Sequence, residues 1–308
     1  MTIQDRRYLI VGGAPRSGTT SLFEYLRAHP EVCASSIKET RFFLDADYPL
    51  ESAARFDGQN LAMYGRFFPN CDAREGRMFV ESTPDYLYNS TAARIGKLLP
   101  RAKIVFILRD PVDRVVSWYR YARQRALLDR SVSLEEYVTS QVKSPLRSST
   151  PLHMRAIDQN RYEHYLRPFR RTFGERIMTL AFEDLLQDPL AVMNKIAEFA
   201  GIDASFYGVY EFHPKNASHN VRSAGLHGGY AWLRRKVAFA SLGHPGILRG
   251  LRRVNSILKK VLILNSKAEQ HDLEVSAAVK ELILRESERP VTDLCASDEN
   301  DHSSGSGR

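Results

Sequence analysis

The chain is poor in cysteine. Cys33, Cys71 and Cys295 are the only three in 308 residues, widely spaced and without a CxxC pair, so neither a disulfide framework nor a thiolate zinc site is expected. No run of 18 or more apolar residues occurs, which removes a membrane-spanning helix from the expectations. An apolar, strand-like segment begins at Tyr8 and leaves no room for a signal peptide ahead of it, so the expected compartment is a reducing cytoplasm. HExxH and Asp-rich ligand patterns are missing as well, and no metal is expected. The most local absence is of acid. From His213 to Ala268 there are eleven Lys or Arg and no Asp or Glu, so with a net charge of +8 the remainder carries 8 − 11 = −3. That basic stretch, 213–268, is read as C-terminal helices with two alternatives: a solvated face, or peripheral contact with an anionic membrane or acidic polymer. Nucleic acid is not favoured, because no RRM, KH or helix-turn-helix signature accompanies the charge.

What is present is an ordinary globular composition, 43% hydrophobic and 26% charged, enough for one large domain over 1–297, with 298–308 composed as a disordered tail. Apolar, β-branched runs at Tyr8–Gly12, Met78–Glu81, Lys103–Arg109 and Arg176–Phe182 predict buried strands. Helices are predicted over Thr19–Ala28, Pro111–Leu127, Leu134–Val142, Tyr162–Phe173 and Pro189–Ala200, several opening on Pro or behind an Asp or Ser cap. Lys143–Pro151, rich in Ser, Thr and Pro, reads as a loop. Strands alternating with helices predict an α/β fold: a mostly parallel central sheet flanked by helices, with ligands beyond the carboxyl ends of the strands; the loop after the first strand, Gly12 to Ser21, makes it the P-loop nucleotide-binding type.

Directly after the first predicted strand comes Gly12-Gly13-Ala14-Pro15-Arg16-Ser17-Gly18-Thr19-Thr20-Ser21, running into a helix. Strand, glycine-containing loop and helix N-terminus in that order make a phosphate cradle. The spacing Gly13-x4-Gly18 matches a nucleotide-triphosphate P-loop, but Thr19 stands where the lysine belongs and the cation comes earlier, at Arg16. A kinase or NTPase needs that lysine on the β- and γ-phosphates and a hydroxyl on Mg²⁺. One 5′-phosphate carrying a sulfuryl group needs the nearby cation and hydroxyls that Arg16, Ser17, Thr19, Thr20 and Ser21 supply. A second candidate begins where the strand Lys103–Leu108 ends, in Arg109-Asp110-Pro111 through Ser117. Arg109 offers a bidentate cation and Ser117 a hydroxyl to another phosphate; in the plainer reading this is a capped helix start, with Arg114 pairing Asp110 on the helix surface.

Together these segments resemble the PAPS-dependent sulfotransferases (PAPS, 3′-phosphoadenylyl sulfate), whose 5′-phosphosulfate loop looks like Pro15 through Thr20 and whose 3′-phosphate motif looks like Arg109 through Ser117. The resemblance continues in Phe182-Glu183-Asp184-Leu185 and covers roughly Tyr8 to Ile202. Ala28-His29-Pro30-Glu31-Val32 and Lys38-Glu39-Thr40-Arg41 are similar to the tyrosylprotein enzymes, and Lys38-Glu39 before Phe42-Phe43 to the heparan-sulfate and related carbohydrate enzymes. In both groups the matching glutamate is the general base, so the resemblance implies that Glu39 takes the acceptor proton; without the motif, Glu39 reads as an exposed carboxylate pairing with Lys38 or Arg41. It also implies that Arg16 stabilises the sulfuryl and bridging oxygens, that Thr19, Thr20 and loop amides hold the 5′-phosphate, and that adenosine 3′,5′-bisphosphate (PAP) leaves. Glu81, in Glu81-Ser82-Thr83-Pro84, matches a segment lining the acceptor cleft of carbohydrate enzymes, which implies orientation of the substrate or of Arg16; capping of the next turn is the other reading. Two departures stand out: Arg16, where many members have lysine, and the absence of a clear C-terminal cofactor loop, for which His219–Ser223 with Arg222 is the candidate. His29 and His164 lie in helical patterns and read as structural.

The acceptor expected on these grounds is a hydroxyl of a saccharide, a tyrosine or a small molecule, with a carbohydrate-like one favoured. The competing readings are a P-loop kinase or NTPase, against which the missing lysine counts, and a non-catalytic anion-binding module on the same fold.

Overall fold

The computed structural model describes residues 2–59, 61–69, 71, 77–144, 146–147, 149–213, 219–221, 263–267 and 273–289. Its centre is a five-stranded sheet of β1 (Arg7–Gly13), β2 (Val32–Ala34), β3 (Met78–Ser82), β4 (Lys103–Leu108) and β5 (Ile177–Ala181), in the order β2-β3-β1-β4-β5. Every adjacent pair is parallel. The α/β expectation holds, and the four predicted strands end within one residue of the observed ones. β2 is the strand the apolar pattern does not announce, since three residues are too few to show a period.

Alternation along β1 and β4 divides the core into two layers. Tyr8, Ile10, Ile104 and Phe106 face one side, with Ile95 of α3 (Thr91–Leu98) and Leu166 and Phe169 of α6 (Tyr162–Phe173). Leu9, Val11, Val105 and Ile107 face the other, with Leu22 and Leu26 of α1 (Thr19–Ala28) and Val192 and Ile196 of α8 (Pro189–Ala200). All eight strand residues are fully buried, which is why the strands read as continuous apolar runs. A third cluster joins α4 (Pro111–Gln124), α5 (Leu134–Lys143) and α9 (Ala277–Glu288) through Val115, Trp118, Tyr137, Val138, Val279 and Ile283. Short helices α2 (Ala62–Gly65) and α7 (Phe182–Gln187) complete the set, and β6 (His219–Val221) pairs antiparallel with β7 (Ile263–Lys267). No helix among the described residues is long and apolar enough to cross a membrane.

Local chemistry explains the helix starts. Asp110 accepts from Asp113 N and Asp188 from Ala191 N, each ahead of a proline, and Ser133 forms a capping box with Glu136. α4 stops at Gln124, three residues before the predicted end, where Ala126 turns left-handed (φ 51°). The cysteines are a second difference: Cys33 of β2 and Cys71 are disulfide-bonded, with Cα atoms 5.8 Å apart. Pairing across 38 residues of chain depends on the fold and has no spacing signature. Most of the basic stretch 213–268, Arg222 within it, and the tail 298–308 lie outside the described residues.

Candidate active site

From β1 the chain builds β2 and β3 on one side and then crosses to β4 and β5 on the other, so the strand order switches between β1 and β4. Loops leaving the carboxyl ends of those two strands diverge and open a crevice. The loop after β1 is Ala14–Gly18; the turn after β4 is Arg109–Asp110. Both predicted phosphate segments therefore reach the same place.

They touch. Arg16 Nε donates to Ser117 Oγ at 3.2 Å, and Arg109 Nη1 donates to the Arg16 carbonyl at 3.4 Å. The Arg16 guanidinium lies 4.8 Å from the Tyr121 ring centre, and that of Arg109 lies 4.9 Å from Phe182. Burial foremost, and after it the positive charges of Arg109, Arg125 and Arg114, pull the Arg16 pKa down to about 10, with the Tyr121 phenol opposing. Arg16 remains a cation at neutral pH. Among the described residues no carboxylate pairs with Arg16 or Arg114, and Arg109 has only the exposed Asp113 at 3.8 Å. Arg16, which no carboxylate pairs among the described residues, beside Arg109, whose one ion-pair partner is exposed and distant, leaves positive charge at the loop that favours an anion.

Backbone geometry adds donors. Gly18 is the N-cap of α1 with φ 80°, a left-handed conformation that suits glycine, and it has no side chain with which to cap the helix. The first N–H groups of α1 thus face the loop, where the helix dipole favours an anion. A Cβ on Gly18 would stand 2.6 Å from the Phe182 ring, the same ring that carries Arg109. Thr20 and Ser21 are half-buried at the helix mouth, with Ser21 beside the Tyr25 phenol, whereas Ser17 and Thr19 are buried. The cations, amides and hydroxyls fit a ligand carrying two anionic groups.

Arg114 is the functional residue that sequence reasoning placed wrongly. It is fully buried and does not pair with Asp110 on a surface. Its guanidinium donates to Pro15 O (3.0 Å), Ala156 O (3.2 Å), Asn160 Oδ1 (2.7 Å) and Gln159 Oε1 (2.9 Å). It fastens the phosphate loop to α4 and to the turn before α6. Its partners are 42 to 99 residues away, so no local pattern announces them.

Glu39 lies at the same carboxyl edge, on the β3 side. Its N–H donates to Ser82 O at 2.8 Å, and Ser82 is aligned with Val11 of β1. Its side chain, 28% exposed, pairs with Lys38 (3.2 Å) and Arg41 (2.7 Å). Both Glu39 (φ 62°) and Arg41 (φ 57°) are left-handed, a conformation that costs a residue with a Cβ about 1 kcal/mol or more and persists where surroundings enforce it. Asp85, buried nearby, accepts from Tyr48 OH at 3.0 Å; burial, and next the negative charge of Glu39, raise it to about 6. Glu81 corrects the expectation that it lines the acceptor cleft: it is fully buried, and hydroxyl donors already fill both carboxylate oxygens. His29 is structural, with Nε2 against Asp203 O and Nδ1 accepting from Glu31 N. Arg222 lies outside the described residues.

Residues 5–224 match the model of the sulfotransferase domain. The chain belongs to the sulfotransferase family. Curated relatives of this sulfotransferase domain include the human bifunctional heparan sulfate N-deacetylase/N-sulfotransferase 2, 32% identical over 209 residues, covering 64% of this chain and 22% of the relative. The mouse heparan sulfate glucosamine 3-O-sulfotransferase 3A1 is 27% identical, covering 64% and 48%. The match thus spans about a quarter of the bifunctional relatives and half of the 3-O-sulfotransferase. Among solved structures, a sulfotransferase from Alicyclobacillus acidocaldarius superposes with a TM-score of 0.58 at 24% identity, covering 78% of this chain and 96% of that one, and so shares the fold.

Proposed function

We propose that this sulfotransferase domain transfers a sulfuryl group from PAPS to a hydroxyl of a carbohydrate-like acceptor, with PAP as the second product. The observation that carries the reading is the meeting of Arg16, Arg109 and Ser117 at the switch between β1 and β4: two cations beside the N-terminus of a helix suit a nucleotide with an anionic group at each end. The names of the relatives support a saccharide acceptor. Sulfuryl transfer needs an in-line approach, charge stabilisation on the transferring oxygens and removal of the acceptor proton. Arg16 supplies the cation over the sulfuryl and bridging oxygens, with the amides and hydroxyls of Gly18–Ser21 on the 5′-phosphate. Arg109 and Ser117 take the 3′-phosphate, so that bound nucleotide replaces the Arg16–Ser117 hydrogen bond. Glu39, in the loop beside the end of β3, accepts the proton, and Lys38 and Arg41 orient it.

The test is radiolabelled PAPS with saccharides, amino sugars, tyrosyl peptides and phenols as acceptors, alongside calorimetry with PAP. PAP binding, transfer to a saccharide and loss of transfer in Glu39→Gln are expected. No heat with PAP would end the reading, and transfer unchanged in Glu39→Gln would remove Glu39 as the base.

A further inference from the structure

Glu81 has no cation beside it among the described residues; its partners are four hydroxyls. Tyr64 and Tyr86 donate to Oε1 at 3.0 and 3.1 Å, and Thr40 and Thr83 to Oε2 at 2.5 and 3.3 Å. Two donors on each oxygen saturate a carboxylate. Three of these hydroxyls are also acceptors. Thr83 Oγ1 accepts the N–H of Arg41 (3.2 Å), Thr40 Oγ1 that of Phe42 (3.3 Å) and Tyr86 OH that of Phe43 (3.3 Å). One buried carboxylate is therefore linked through three hydroxyls to three consecutive backbone amides, and the segment they secure begins two residues after Glu39. On the other side of Glu39, its own N–H is tied to Ser82, the residue after Glu81. The left-handed Glu39 and Arg41 flank Thr40, the hydroxyl closest to the carboxylate.

We infer that Glu81 is a positioning residue: through Thr40, Thr83 and Tyr86 it holds the 39–43 turn in its strained conformation, and so aims the Glu39 carboxylate at the acceptor. The arrangement requires Glu81 to be ionised although it is wholly buried. Burial raises its pKa, and the hydrogen bonds from Thr40, Tyr64, Tyr86 and Thr83 oppose that rise. Each hydroxyl, polarised by the carboxylate, becomes a better acceptor for its amide. This inference rests on Glu39 as the base and adds the device that orients it.

The sharpest probe is Thr40→Val, which keeps the shape and removes one relay, with Thr40→Ser as the rescue. Sulfate release from radiolabelled PAPS with water as acceptor gives a turnover that needs no identified substrate, and Glu39→Gln is run in parallel. Misaiming a catalytic group by about 1 Å costs on the order of 100-fold, so Thr40→Val is expected to lower kcat by about 10- to 100-fold. Its KM for PAPS and Kd for PAP should stay within about two-fold, because its hydrogen-bond partners Glu81, Tyr86, Phe42 and Ser52 all lie outside the nucleotide loop, and Thr40→Ser should regain most of the rate. A purely structural role would lower activity only in proportion to the folded fraction, which thermal denaturation measures. Turnover in Thr40→Val equal to the parent, while Glu39→Gln is inactive, overturns the positioning role alone; turnover retained in Glu39→Gln overturns it together with the base.

Discussion

Replacing Arg114 by leucine removes four hydrogen bonds from a fully buried guanidinium. Bonds of this charged kind contribute about 1.5–3 kcal/mol each when deleted singly, so a plain sum reaches about 6–12 kcal/mol. Two effects reduce that. The buried cation has no carboxylate counter-ion among the described residues, so its own desolvation, several kcal/mol, is recovered when it goes. Side-chain acceptors Asn160 and Gln159 can also turn toward other donors, whereas the carbonyls of Pro15 and Ala156 cannot. A net loss of about 3–5 kcal/mol follows, the range in which breaking a buried charged network falls. Arg114→Lys keeps the charge but not the fork that reaches both Pro15 and Gln159, and is expected to cost about 2–3 kcal/mol. Urea titration followed by tryptophan fluorescence reads both numbers, since Trp118 sits one turn along α4. Because Pro15 is released, Arg114→Lys should also weaken PAP by about 10-fold in calorimetry. A loss below about 1 kcal/mol in Arg114→Leu, or PAP affinity unchanged in Arg114→Lys, would refute the claim that this arginine builds the phosphate loop.

Arg16→Ala should weaken PAP binding by about 10- to 100-fold, the value of one charge-assisted contact, and the loss should shrink as salt rises; a loss independent of salt would speak against an ionic contact. Gly18→Ala combines a left-handed backbone with a clash on Phe182, so it should destabilise by about 1–3 kcal/mol and weaken PAP through the displaced Arg109; unchanged affinity would contradict the coupling. Asp85 titrates at about 6 in the fold against 3.8 ordinarily, so between those values the folded state binds more protons and stability falls as pH rises, by up to about 3 kcal/mol. Asp85→Asn should flatten the denaturation midpoint between pH 4 and 6, and a slope equal to the parent's would sink the assignment. Reducing Cys33–Cys71 opens a 38-residue separation and should cost about 2–4 kcal/mol; three free thiols in the unreduced protein would exclude the bond.

The sheet was legible because both its faces are covered, which turns each strand into a short apolar run between turn residues. α1, α4, α6 and α8 were legible from their caps, prolines and periods. α3 carries no side-chain cap at Ser90 and has Gly96 in its body, so propensity argues against it although packing makes it. α9 did leave a trace, in the Ser276 cap and the four-residue spacing of Val279 and Ile283, within a stretch otherwise dominated by charge. For the site, Arg16 and Arg109 were readable because each follows a strand end, and Ser117 because it stands two turns into the capped helix that comes next, where geometry is set locally. Arg114 and Glu81 were not: each acts on segments distant in sequence, and a buried arginine or glutamate looks in sequence like a surface one. The left-handed turn at Glu39 has the same cause, since Glu81 supports it from 42 residues away.

The sulfotransferase match ends at residue 224, yet Val279 and Ile283 of α9 pack on Val115 and Trp118, on the helix that presents Ser117. A fragment cut at the homology boundary would leave that helix without its outer cover and open apolar side chains to water. The smallest piece that keeps α4 covered therefore runs to residues 277–288, beyond the end of the recognisable sequence.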